Sequence, residues 1–403
     1  MTTFFLTLAA LCLLAAIHPY TTFPFSLWVM KRMGRRNPPV ARDPVFAAGE
    51  SAPTVPVPSV QASPQLAILM CVHNEQNVIS GRMSNLIALA DQLPGTEILV
   101  YVDGSTDATE ERLRVFGDRI RVFVSPEQTG KTPGMNLLVT KTDAPVVVFT
   151  DAAVRMSETA LPTMMSYFND PSVGCVCGRI VAVNGGGSDE LTATADTSIR
   201  YWAFDAMLRR LESEVASVMG AHGPLFAIRR SLHEPPPAEL FDDFWVSMAI
   251  LYAGHRVVQA EDFVGHKAIA SKQSDEYTRK TRIACQSFNI HRGLLPRLKQ
   301  QSWLIRYCYF SHKTLRWLTI FSLSGFALFA TLAAASAGMT VFAASAWGLS
   351  GLGLALGLAG LRPFDRVFSA LAALVANGRG VIQSIRGTTY QTWSPVKSAR
   401  ETQ

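Results

Sequence analysis

Charge is scarce in this chain: Asp, Glu, Lys and Arg make up 17% of the 403 residues, against 48% apolar. That balance excludes a disordered polyelectrolyte, a collagen-like fibre and a small disulfide scaffold, and it is apolar for a purely soluble protein. The 37 basic and 31 acidic residues leave a formal charge of +6. No dense basic stripe is present, so nucleic acid is not an expected partner. The cysteines (Cys12, Cys71, Cys175, Cys177, Cys285, Cys308) lack zinc-ligand spacing and read as reduced thiols of a cytosol-facing protein. Neither G-x-G-x-x-G nor a Walker lysine loop follows the first strand pattern, which argues against dinucleotide and P-loop chemistry.

The missing charge is concentrated in two places. Thr2 to Met30 holds no Asp, Glu, Lys or Arg and then meets Lys31, Arg32, Arg35 and Arg36. The cationic cluster follows the apolar run, the reverse of a secretory signal, so residues 1–30 read as a membrane helix with its amino terminus outside. Trp317 to Leu361 is equally uncharged and long enough for two spans, with an outer turn near Ala333 to Gly338. Arg306, Lys313 and Arg316 precede the pair and Arg362 and Arg366 follow it, which puts both flanks in the cytoplasm. Residues 296–316 are expected to form an interfacial segment. Within 362–403, Val367 to Ile385 is interrupted by Asn377, Gly378, Arg379 and Gly380, and reads as a helix lying on the membrane surface with Trp393 as an interfacial anchor. These features predict a multi-pass protein of the inner (plasma) membrane, with three spans and membrane lipid as a partner.

Residues 31–65 combine the basic stop with a linker carrying Pro38, Pro39, Pro44, Pro53, Pro56, Pro58 and Pro64. From 66 to 295 short β-rich runs alternate with helical patterns: LAILMCV, TEILVYVD and RIRVFVS, each followed by a helix, and then APVVVFTD. Such alternation predicts an α/β domain with a mainly parallel sheet, whose ligands bind at the carboxyl ends of the strands. Those ends carry Asn74 and Glu75, then Asp103 to Asp107, then Asp151. Asp107 is equally suited to capping a turn and helix, whereas Asp103 and Asp151 share one rim.

Five motifs in order resemble the membrane-anchored family 2 glycosyltransferases, the superfamily of cellulose, hyaluronan, chitin and poly-N-acetylglucosamine synthases. They are Cys71-Val72-His73-Asn74-Glu75, Val102-Asp103-Gly104-Ser105-Thr106-Asp107, Gly130-Lys131-Thr132-Pro133-Gly134-Met135-Asn136, Asp151-Ala152-Ala153, and the acidic pair Asp242-Asp243 in FDDFWVS. The resemblance implies a GT-A type nucleotide-sugar domain, an inverting transfer, and Mg2+ or Mn2+ held by Asp151. It implies a donor, a UDP-sugar, bound by Asn74, Glu75, Asp103, Lys131, Arg279 and Arg282. It further implies a general base in Asp243 with Asp242 beside it, and an acceptor side shaped by His222 and Gly223 in Gly220-Ala221-His222-Gly223-Pro224.

Two positions depart from the family pattern. Ala153 stands where the metal motif has its second carboxylate, and Ile283 stands where polymerising members carry a tryptophan that stacks on the acceptor sugar. The expected function is therefore transfer of a sugar to a lipid-linked or oligosaccharide acceptor in cell-surface or exopolysaccharide synthesis. A processive synthase, with an export partner or an oligomer, and a non-catalytic nucleotide-sugar-binding scaffold are the alternatives. His266 in VGHK reads as either structural or functional, Cys175 and Cys177 as two side chains on one strand face, and Gly185-Gly186-Gly187 as a flexible turn.

Overall fold

A computed structural model describes residues 1–35, 37, 64–183, 193–268 and 273–393. The proline-rich linker and Gly185-Gly186-Gly187 lie outside the described residues. The chain divides into two compact units, a helical one (Met1–Arg36, Gly186–Val215, Ala270–Thr389) and a sheet-based one (Asn37–Gly185, Ala216–Ile269, Tyr390–Gln403).

The chain begins with α1 (Thr2–Ile17) and α2 (Thr22–Arg32). Sheet and helix then alternate: β1 (Leu66–Val72), α3 (Ile79–Gln92), β2 (Thr96–Asp103), α4 (Thr109–Arg114), β3 (Arg121–Ser125), α5 (Lys131–Thr140) and β4 (Val146–Asp151). After β5 (Val154–Met156), α6 (Ala160–Tyr167) and β6 (Val173–Val183) comes the long α7 (Ala193–Val215). The sheet is completed by β7 (Leu225–Arg229), α8 (Asp242–Tyr252) and β8 (Arg256–Ala268). The remainder is helical: α9 (Gln273–Lys299), α10 (Trp303–Tyr309), α11 (Leu315–Ser336), α12 (Thr340–Leu358) and α13 (Phe364–Ile385).

In the sheet-based unit the eight strands run in the order β3-β2-β1-β4-β7-β6-β8-β5. The first four are parallel, as the alternation of strand and helix patterns requires, and β1 is buried at every position from Leu66 to Val72 because helices cover both faces. The second half is mixed: β7 is antiparallel to β4 and β6, whereas β8 runs parallel to β6 and antiparallel to β5. Phe149 of β4 stacks on Phe226 of β7 with ring centroids 4.5 Å apart, which joins the two halves through a buried aromatic pair. Parallel β1, β2 and β4 end together at Val72, Asp103 and Asp151, so their carboxyl ends form one rim.

Among the described residues of the helical unit, three helices are long and apolar enough to cross a membrane: Thr2–Tyr20, Trp303–Ser336 and Thr340–Leu358. Apolar side chains on α12 face outward, with Val341 79% and Leu349 70% exposed. The single helix expected over 1–30 is two, because Pro19 lies in a 3-10 turn (His18–Tyr20) between α1 and α2 and has no N–H for the helical ladder. The apolar helix also begins earlier than Trp317: α10 continues through a π-helical turn (Phe310–Thr314) into α11, taking up part of the expected interfacial segment. Its charged start is packed rather than solvated. Arg316 donates to Asp205 of α7 at 2.7 Å and His312 pairs with Glu212 at 2.7 Å, so the buried charges are compensated within the unit. The helix expected over Val367 to Ile385 is α13, which runs unbroken through Asn377 to Gly380, and its glycines allow close packing. A Cβ on Gly378 would collide with Ile320 of α11, and one on Gly380 with the Thr281 carbonyl of α9.

Candidate active site

Each candidate side chain of the sheet-based unit is placed by the end of a strand or the start of a helix. Asp151 closes β4, and its backbone N–H donates to the Pro224 carbonyl at 3.2 Å, which ties the strand end to the loop before β7. Lys131 opens α5 directly after Gly130, whose φ of 107° an L side chain rarely adopts. Asp242 and Asp243 open α8, where negative charge is favoured at the helix amino terminus.

These groups form one half-buried cluster, with Asp242 at its buried end. Lys131 Nζ lies 3.0 Å from Asp151 Oδ1 and 3.6 Å from Asp242 Oδ2, and donates to the Gly223 carbonyl at 3.5 Å. Lys267 Nζ, from β8, donates to Asp151 Oδ2 at 2.9 Å. Burial alone would raise the Asp151 carboxyl, but the two ammonium groups hold it well below the ordinary carboxylate range. Burial alone would lower Lys131, but Asp151, Asp242 and Asp243 push it above its ordinary value. Asp243 behaves oppositely. Burial and the neighbouring Asp242 carboxylate raise it to about 6, against the opposing pull of Lys131. Its Oδ2 lies where a Cβ on Gly223 would stand, 2.6 Å away, so only a glycine leaves room for the carboxylate. Ser247 braces this corner, donating to the Asp243 carbonyl at 2.6 Å and accepting from the Ala221 N–H at 2.7 Å.

The other candidates hold loops. Asp103 is fully buried, and its Oδ1 accepts from the Thr129 N–H at 2.6 Å and the Thr129 hydroxyl at 2.9 Å, while Oδ2 accepts from the Gly130 N–H at 3.0 Å. Its carboxylate is thus committed to the loop that precedes Lys131. Asn74, with φ of 52°, accepts from the Thr106 N–H at 2.8 Å and braces the turn after β2. The Glu75 backbone N–H donates to the Thr109 hydroxyl at 2.8 Å, and its side chain is buried. Asp107 caps locally: burial would raise it, but hydrogen bonds from Thr109 and Gln76 lower it below the ordinary value. His222 lies in the loop beside Gly223, its carbonyl accepting from the Leu225 N–H at 3.1 Å.

Arg279 and Arg282 lie on α9, in the helical unit. There Arg279 forms a fork with Glu276, both contacts at 2.9 Å, and Arg282 Nη1 donates to Gln286 at 3.5 Å. Cys175 and Cys177 are buried on β6.

Two features escaped the sequence reading. Lys267 is one. The alternation of β8 sends His266 to the exposed side and the next residue to Asp151, so the signal was present in VGHK but pointed to the wrong residue. The other is the segment Tyr390–Trp393, which belongs to the sheet-based unit. Gln391 Nε2 donates to the Thr129 carbonyl at 2.9 Å, Gln128 Nε2 donates to the Trp393 carbonyl at 2.7 Å, and the Trp393 ring meets His73 edge-on at 6.1 Å. Trp393, expected as an interfacial anchor, instead packs beside the strand-end loops, because flanking glutamine contacts fix the segment there. The Gln391 carbonyl occupies the space that a Cβ on Gly130 would need.

Residues 67–235 match the sequence model of Glycosyl transferase family 2. The chain carries a family 2 glycosyltransferase domain. An N-acetylglucosaminyltransferase of Rhizobium meliloti (strain 1021) is 26% identical over 235 residues, 54% of this chain and 53% of that protein. The chain thus matches about half the length of that relative. The mannosyltransferase PcManGT of Pyrobaculum calidifontis, solved in complex with GDP-Man and Mn2+, shares 21% identity with a TM-score of 0.65, covering 94% of this chain and 99% of that one. This likeness establishes the GT-A type fold of the transferase domain. Against a divalent ion, the residues of the domain fit poorly. Asp151 is followed by two alanines, both its oxygens are bonded to ammonium groups, and no group of three His, Cys, Asp or Glu suited to a metal occurs among the described residues.

Proposed function

We propose that the protein is an inverting glycosyltransferase that moves a sugar from a nucleoside diphosphate donor, preferentially a UDP-sugar, to a hydroxyl of a lipid-linked or growing saccharide. One observation carries this reading: Asp243, raised to about 6, stands in one cluster with Asp242, Lys131 and Asp151 at the carboxyl rim of the sheet. A base near that value is ionised at neutral pH and still takes up a proton effectively. In the reaction the acceptor hydroxyl oxygen bonds to the anomeric carbon while the bond from that carbon to the diphosphate breaks, and the hydroxyl proton passes to Asp243. Asp242 keeps the base poised by repulsion. Gly223 leaves the space in which the Asp243 carboxylate meets the acceptor, and His222 is placed on the acceptor side. Asn74, Glu75 and Asp103 shape the nucleotide side by holding its loops.

The divalent ion implied by the family resemblance has no fitting place beside Asp151, whose two oxygens are bonded to Lys131 and Lys267. The three long apolar helices support a multi-pass anchor in the inner membrane with the transferase domain in the cytoplasm, where nucleotide sugars and a lipid-linked acceptor meet.

Nucleoside diphosphate release by the detergent-purified protein, assayed against a panel of UDP- and GDP-sugars, tests the reading. Release with one donor is expected. A protein that binds a donor yet releases nothing when supplied with membrane lipid extract and saccharide acceptors would be a scaffold.

A further inference from the structure

We infer that Lys267, together with Lys131, supplies the positive charge that meets the leaving diphosphate, in place of a divalent cation. This deepens the glycosyl-transfer reading above and rests on it. Asp151 offers two oxygens, and each is already bonded to an ammonium group, Lys131 at 3.0 Å and Lys267 at 2.9 Å. An entering cation must displace one ammonium and then sit beside the other, whereas Mg2+ and Mn2+ need several oxygen ligands. The position where a second carboxylate would help holds Ala153, a methyl group.

For an anion the same cluster is well suited. Arg82, buried and donating to the Thr150 hydroxyl at 2.9 Å, adds a third cation close enough to Asp151 to feel its field. Lys131, Lys267 and Arg82 match Asp151, Asp242 and Asp243 in number, so a diphosphate meets no net negative charge there. Lys267 also has the right mounting. It stands on β8 opposite Val154, its backbone fixed by strands on both sides, while its flexible stem carries a point charge of the kind that suits phosphate oxygens. As the bond from the anomeric carbon to the diphosphate breaks, the nucleoside diphosphate leaves with an additional negative charge. The two ammonium groups turn from Asp151 to the phosphate oxygens and take up that charge, while the acceptor proton goes to Asp243.

The test is donor binding by calorimetry with the full-length protein in detergent, using the sugar nucleotide that the release assay selects, once in EDTA and once in Mn2+. Affinity is expected to differ by less than about threefold between the two, and Lys267→Gln to weaken it about tenfold in both, the loss of one charge-assisted contact. Lys267→Arg restores most of the affinity, which separates charge from folding. The paired change Ala153→Asp with Lys267→Gln is expected to create Mn2+ binding, read by electron paramagnetic resonance, and to make donor binding Mn2+-dependent. Binding lost in EDTA and restored by Mn2+ in the unaltered protein overturns the inference and leaves the transfer reading standing. Failure of every donor to bind in either condition overturns both.

Discussion

Asp243 Oδ2 occupies the space beside Gly223 that any side chain would fill, at 2.6 Å from the position of an added Cβ. The Gly223 loop, proposed to face the acceptor, and the proposed base are therefore fitted to each other at one point of contact. Gly223→Ala should push the carboxylate out of line and lower turnover by about a hundredfold, with donor affinity little changed, since small misplacements of a reacting group cost rate. Steady-state rates and calorimetry on the same preparation check this.

The raised Asp243 makes the rate pH-dependent. Turnover should rise with pH through about 6 and level off above it, because the base must be ionised to accept a proton. A rate that falls over the same interval would assign the group a different role.

Stability follows the same group with the opposite sign. Its folded pKa lies above that of an unfolded aspartate, so the folded state holds the proton more tightly, and stability is lost as pH rises through about 6. Asp243→Asn removes that term. The variant should melt above the parent protein at pH 7.5, and the difference should vanish near pH 4. Differential scanning fluorimetry at the two pH values measures it.

Asp151 should behave conversely. Its carboxyl is held well below the ordinary range by Lys131 and Lys267, so its contribution is present at neutral pH and fades as acid protonates it. Asp151→Asn is expected to lower the melting temperature at pH 7 by leaving two ammonium groups close together without their shared anion. An unchanged melting temperature would mean that the pair is solvated rather than structural.

Much of this site was legible along the chain. The four parallel strands follow from runs of β-rich residues separated by helical patterns, and Asp103 and Asp151 fall at the ends of two of them. What the sequence could not show was which distant groups would meet. Lys267 reaches Asp151 only through the pairing of β8 with β5 and β6, and Trp393 reaches His73 from more than three hundred residues away. Asp103 was read as a ligand of the nucleotide, yet its oxygens are taken by Thr129 and Gly130, donors that local composition does not identify. The helix of α13 was legible too, but not that Gly378 and Gly380 serve close packing on two neighbouring helices.

The Tyr390–Trp393 segment gives a further prediction. Gly130→Ala places a methyl group against the Gln391 carbonyl and strains a residue at φ 107°, so it should both loosen that segment and shift Lys131. Donor affinity is expected to fall at least about fivefold through loss of a positioned charge. Trp393→Ala, which removes only the ring against His73, should have a smaller effect in the same direction. Titration of both variants with the donor checks the order.

Asp243 is the proposed acceptor of the hydroxyl proton in the glycosyl transfer. The most direct measurement compares the unaltered protein with Asp243→Asn for nucleoside diphosphate release and donor binding side by side, with the active donor at pH 7.5. Asp243→Asn is expected to lose rate by about a hundredfold to ten-thousandfold with donor affinity preserved. Equal rates in the two proteins would contradict it.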